Sequence, residues 1–79
     1  MAKYRLRAVG ADFDVDDEGC DYPDAEAARR AAVKAGIAIA AEEVANGRKS
    51  SIIEAQVIEQ DQMLARYVIA LSVEALRPD

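Results

Sequence analysis

Lys3 to Val9 alternates, with Tyr4, Leu6 and Ala8 on one side and Lys3, Arg5 and Arg7 on the other. A period of two marks a strand with one face on a core. Asp12 to Asp16 alternates likewise, Phe13 and Val15 against Asp12, Asp14 and Asp16. A two-residue turn at Gly10-Ala11 would join the two strands, because glycine at the first central position suits a type II′ turn. That register sets Ala8 opposite Phe13 and Leu6 opposite Val15 on the inner face. On the outer face it sets Arg7 opposite Asp14 and Arg5 opposite Asp16. A slip of one residue would turn both sets the wrong way. Each matched pair contributes about 0.2–1 kcal/mol.

Asp17-Glu18-Gly19 reads as a turn out of this hairpin and Cys20 to Pro23 as a short connection. Asp24 is a candidate N-cap, and Pro23 before it stops a helix from growing backwards. The pattern predicts a helix from about Ala25 to Ala45. Asn46-Gly47 ends it, with Gly47 supplying a left-handed conformation. Ala28, Ala32, Ala35, Gly36, Ile39 and Ala40 share one broad side, widened by Val33, Ile37 and Val44; Arg30, Lys34 and Ala41 lie opposite. Side chains this small let a helix sit close to a sheet.

After a polar loop at Arg48–Ser51, the pattern predicts a strand over Ile52–Glu59 and a turn at Gln60-Asp61-Gln62. A longer strand from Met63 to about Val73 follows. Ala65, Tyr67, Ile69, Leu71 and Val73 alternate onto one face, and a three-residue turn sets Ile53, Ala55 and Val57 beside them. The fold class is therefore α+β, in the order ββαββ: an antiparallel sheet of two hairpins with one long helix on one face, in a single domain over residues 1–79. The far face of the second hairpin is not polar. It carries Ile52, Ile58, Leu64, Val68 and Ala70 among Glu54, Gln56, Arg66 and Ser72. One helix covers one face, so these residues want a second cover. A homodimer supplies it.

Composition sharpens this reading. Apolar residues make up 52% of the 79, which argues against disorder, but much of that share is alanine. A chain this short has a marginal core, and association helps it. The formal charge is −5. The acidic excess lies in the first part of the chain, where Asp12, Asp14 and Asp16 are candidates for a surface that meets a basic protein. An acidic chain repels phosphate backbones, so no nucleic acid is expected as a direct partner. No apolar run approaches the length of a membrane span, and Met1 to Arg5 has no leader-like apolar core. Cys20 stands alone, which fits a reducing compartment, and the expectation is a cytoplasmic protein.

The chain has no histidine. That removes the commonest general base, nucleophile activator and transition-metal ligand. Cys20 has no such activator available. Asp12 to Gly19 has the oxygen-rich look of a calcium loop, yet Asp17 and Pro23 stand where that loop needs glycine and glutamate. No phosphate-binding glycine loop, paired-cysteine motif or nucleophile elbow is present. The expectation is a non-catalytic protein that holds no cofactor and no metal, with a partner interface drawn from Ile52, Ile58, Leu64, Val68, Asp12, Asp14 and Asp16.

Four segments carry a resemblance: Lys3-Tyr4-Arg5, Asp16-Asp17-Glu18-Gly19, Pro23-Asp24-Ala25-Glu26-Ala27-Ala28-Arg29, and Ile53 to Val73. Together they resemble a family of small bacterial proteins of unknown function. Its members open with an Arg-Tyr-type strand, turn at an acidic-Gly segment, start a helix at Pro-Asp-x-Glu-Ala-Ala-Arg and close with a hairpin. The first strand departs from the family in having Tyr4 with Leu6 for an aromatic pair, and the last turn lacks the usual glycine. The resemblance implies a fold and no activity. Gly19-Cys20 and Asp24 to Ala28 are also similar to HicB-type antitoxins, which implies an alternative role as an inhibitor, antitoxin-like or mimicking nucleic acid, that binds a basic protein. No DNA-binding segment follows them here.

Overall fold

The first strand, β1 (Ala2–Val9), runs through the middle of an antiparallel sheet. The computed structural model describes residues 2–76. Along one side of β1 lie two short strands, β2 (Asp14–Asp16) and β3 (Cys20–Tyr22). Along its other side lies β4 (Ser50–Glu59), which pairs in turn with β5 (Gln62–Ser72). The order is β2-β1-β4-β5, with β3 also on β1. A single helix, α1 (Ala25–Ala45), packs on one face.

The α+β expectation holds. Two of its details change. Cys20 to Tyr22, expected as a connection, is a strand, so three strands precede the helix. The first hairpin also has a different register: Ala8 pairs with Val15 and Arg7 with Asp16. The turn spans Gly10 to Phe13, closed by the Gly10 N–H donating to the Phe13 carbonyl at 2.9 Å. Phe13 drives the change. Its ring folds over Gly10, where a Cβ would meet the ring at 2.4 Å, and packs against the core cluster of Ala8, Ala40 and Ile53 from the turn, leaving Val15 as the strand partner of Ala8. A shift of two residues keeps every side chain on its expected face. Arg7 still reaches Asp14 and Arg5 still reaches Asp16, now diagonally.

Between the Arg7–Asp16 and Tyr4–Cys20 pairs, β1 advances three residues while its neighbour advances four. The extra residue is a bulge. Asp17 holds it. Its carboxylate accepts the Leu6 N–H at 2.9 Å and the Gly19 N–H at 3.1 Å, and its own N–H donates to the Leu6 carbonyl at 3.1 Å. Gly19 sits at φ 101°, a conformation that disfavours a side chain.

The helix has the expected bounds. Asp24 caps its start by accepting the Ala27 N–H at 2.8 Å, and Gly47 leaves its end at φ 109°. The buried stripe is Ala28, Ala32, Gly36 and Ala40. It is narrower than expected: Ala35 is exposed and Ile39 only half-buried. The large core side chains come from the sheet. Ile53 and Val57 are fully buried, with Tyr4, Ala8 and Ala55 around them. Burying each large aliphatic contributes about 1.5–3 kcal/mol. Gly36 allows the closest approach, because a Cβ there would lie 2.6 Å from Ile69 Cδ1.

In the second hairpin Ile53 pairs with Ile69, Ala55 with Tyr67 and Val57 with Ala65. These are the expected partners, reached by another route. The turn has two residues, Gln60 and Asp61, at φ 50° and 63°. Positive values at both central residues belong to a type I′ turn. The count is restored by a bulge, since Val57 pairs with Ala65 but Ile58 with Met63, which leaves Leu64 over.

Candidate partner interface

The face of the sheet turned away from α1 is crossed by a polar ladder. Arg7 Nε donates to Asp14 Oδ1 at 2.8 Å, and Arg5 Nε lies 3.0 Å from Asp16 Oδ1. On the next strands Arg66 Nε donates to Glu54 Oε2 at 2.9 Å, and Gln56 Nε2 donates to the same oxygen at 2.6 Å. Arg7 pairs with Gln56 in register, which joins the two halves. The Arg7 guanidinium, by hydrogen bond first and charge second, holds the Asp14 carboxyl below its usual range. Arg66, then Gln56, does the same for Glu54. The guanidinium groups of Arg7, Arg48 and Arg66 are each raised by the hydrogen bond to their acid.

This ladder divides the expected interface residues. Ile52 is 67% exposed and Val68 71% exposed. Ile52 pairs with Ala70, and Val68 lies on the same face two residues before it, so the three make one apolar stripe at the β5 side. Ile58 does not join them. It is 7% exposed, buried beside Arg5, its partner on β1. Leu64 does not join them either. The bulge takes it out of the alternation, and it packs half-buried against the core with Tyr4 and Val57. Asp14 and Asp16 do reach this face, but each is neutralised by an arginine. Asp12 lies in the loop after β1, bonded to Arg48. The three acids are therefore less available to a basic partner than the sequence suggests.

The two edges of the sheet differ more than its faces. The β2/β3 edge is made of three-residue strands, broken by the Asp17 bulge and lined with Asp14, Asp16 and Asp21. Short, bulged, charged edges resist pairing with another chain. The β5 edge has none of these devices along most of its length. It is eleven residues long, holds no proline, and carries one charge, Arg66. From Ala65 to Leu71 its N–H and C=O groups on the outer side have no strand neighbour among the described residues. Alternation in the sequence reveals a strand. It does not say which strand lies outermost, and this edge was not legible there.

Among the described residues, no three or more Cys, Asp or Glu side chains are placed to hold a metal ion. Cys20 is exposed and unpaired. No helix there is long and apolar enough to cross a membrane.

A family model, described as a domain of unknown function (DUF6894), matches residues 4–69. No curated protein and no solved structure matches the chain.

Proposed function

The chain belongs to the DUF6894 family, a domain of unknown function, and we propose that it acts without catalysis, as a protein-interaction module that pairs with a second copy of itself along the free edge of β5. The observation that carries this reading is the contrast between the edges. One is short, bulged and acidic; the other is long, carries a single charge and, from Ala65 to Leu71, has no bulge. A bare edge of that kind is a template for another strand. Two copies meeting antiparallel about a two-fold axis near Ile69 set Val68 opposite the copy's Ala70. The two Ile52–Val68–Ala70 stripes then merge, and Arg66 faces Ser72 of the copy instead of a like charge. Such an interface is the same patch on both copies, so it closes at two. An exposed free thiol suits a reducing compartment, and we place the protein in the cytoplasm, in bacteria as the resemblance implies.

A second reading, an inhibitor of a basic protein in the manner of HicB-type antitoxins, draws on Glu18 and Asp21, which stay exposed at the acidic edge. The arginines on Asp12, Asp14 and Asp16 leave it less charge to offer.

Solution mass by size-exclusion chromatography with light scattering tests the proposal. The expected result is a dimer that Val68→Asp converts to a folded monomer, since Val68 takes no part in the core. A wild-type monomer over the whole concentration range overturns it.

A further inference from the structure

On the helix side of the sheet, α1 and Tyr67 of β5 line an open groove of about 440 Å³. Val33, Ile37 and Tyr67 give it apolar walls, and three cations, Arg29, Arg30 and Lys34, stand along it with one acid, Glu26. Arg30, Val33, Lys34 and Ile37 recur at the spacing that puts side chains on one helix face. Ile37 is 51% exposed although it is a large aliphatic beside a sheet. The charges are also unusual for this molecule. Every arginine among the described residues except Arg29 sits in an ion pair. Lys34 makes none either, and Arg30 reaches only Glu26, at 3.6 Å with both side chains largely exposed. In a chain of net charge −5, two of the groove's three cations, Arg29 and Lys34, are thus left without an acidic partner among the described residues.

We infer that this groove docks a segment of another protein in which acidic residues alternate with large apolar ones. Its apolar side chains fill the space between Val33, Ile37 and Tyr67, and its carboxylates meet Arg29 and Lys34. A second copy of this chain is a poor occupant. Its own acidic-apolar segment, Asp12 to Asp16, has its three carboxylates engaged by Arg48, Arg7 and Arg5. A nucleic acid is a poor occupant too: between its cations the groove is walled by Val33 and Ile37 and offers a single aromatic ring, Tyr67, where a single strand wants a run of stacking rings along a continuous basic track. The groove uses neither the β5 backbone edge nor the Ile52–Val68–Ala70 stripe, so this inference goes beyond self-association and does not depend on it.

The test is a titration of the whole chain, at a concentration where its mass is known, into a short fluorescein-labelled peptide of alternating Glu and Leu. Saturable binding is expected, with amide shifts centred on Val33, Ile37 and Tyr67. The double substitution Arg29→Glu with Lys34→Glu should weaken it by about tenfold, since each reversal replaces an exposed attraction by a repulsion. Both positions are exposed, and an unchanged thermal melt confirms that the variant folds. Equal binding of a Lys-Leu peptide, no binding of the acidic one, or indifference to the double substitution overturns the inference. Tighter binding to phosphatidylserine vesicles than to the peptide overturns it as well, in favour of a lipid surface.

Discussion

Leu6 and Asp17 exchange hydrogen bonds across the bulged edge: the Leu6 N–H donates to the Asp17 carboxylate at 2.9 Å, and the Asp17 N–H donates to the Leu6 carbonyl at 3.1 Å. The side chain stands in for the ladder partner that the bulge removes. Asp17→Ala leaves the Leu6 and Gly19 N–H groups without their acceptor and should cost about 1–3 kcal/mol. Asp17→Asn keeps an acceptor oxygen and should cost clearly less. Urea unfolding of the two variants checks the order.

Gly36 and Ile69 limit how closely helix and sheet approach. Alanine is the better helix former by about 1 kcal/mol, but its Cβ would lie 2.6 Å from Ile69 Cδ1. Gly36→Ala alone should therefore gain nothing. Ile69→Val removes the offending atom. In that background Gly36→Ala should be less costly or stabilising, with a coupling of about 1 kcal/mol in a double-mutant cycle.

The turn between β4 and β5 puts Gln60 and Asp61 at φ 50° and 63°. Glycine adopts that region with no steric penalty. Asp61→Gly should raise stability by about 0.5–1 kcal/mol, read as a higher denaturation midpoint. The ion pair it gives up, with Arg5 at 4.0 Å, involves an Asp61 that is 95% exposed, so its loss should not reverse the sign.

Asp14 and Glu54 titrate below their usual values in the folded state because Arg7 and Arg66 bind their ionised forms. A depressed folded-state value means stability that is full above the unfolded value, about 4 for a carboxylate, and is lost as pH falls through the folded one. Thermal melts should drop on acidification below that point. Arg7→Gln and Arg66→Gln should each flatten the drop; an acid limb unchanged in both would show that these pairs do not govern it.

Much of the fold could be read from the residues, and the failures share a cause. Alternation placed the faces of β1, β4 and β5 correctly, and Asp24 and Gly47 fixed the helix. What pattern does not encode is count. A two-residue shift in the first hairpin and a bulge at Leu64 both keep the alternation almost intact while moving the partners. Phe13 chose core contacts over cross-strand ones, which depends on the helix lying above it. Alternation puts Ile58 among the exposed aliphatics, yet it is buried, paired with Arg5 on a strand far away in sequence. The free edge of β5 was invisible for the same reason: it depends on β1 pairing with β4.

Hydrogen–deuterium exchange along β5, followed at low and high protein concentration, tests the central claim most directly. In an antiparallel edge strand, alternate N–H groups point away from the only neighbour. Pairing of two copies predicts that these outward amides from Ala65 to Leu71 become protected as concentration rises, while the β2/β3 edge stays unchanged. Rapid exchange at every second residue of β5 at all concentrations would contradict it.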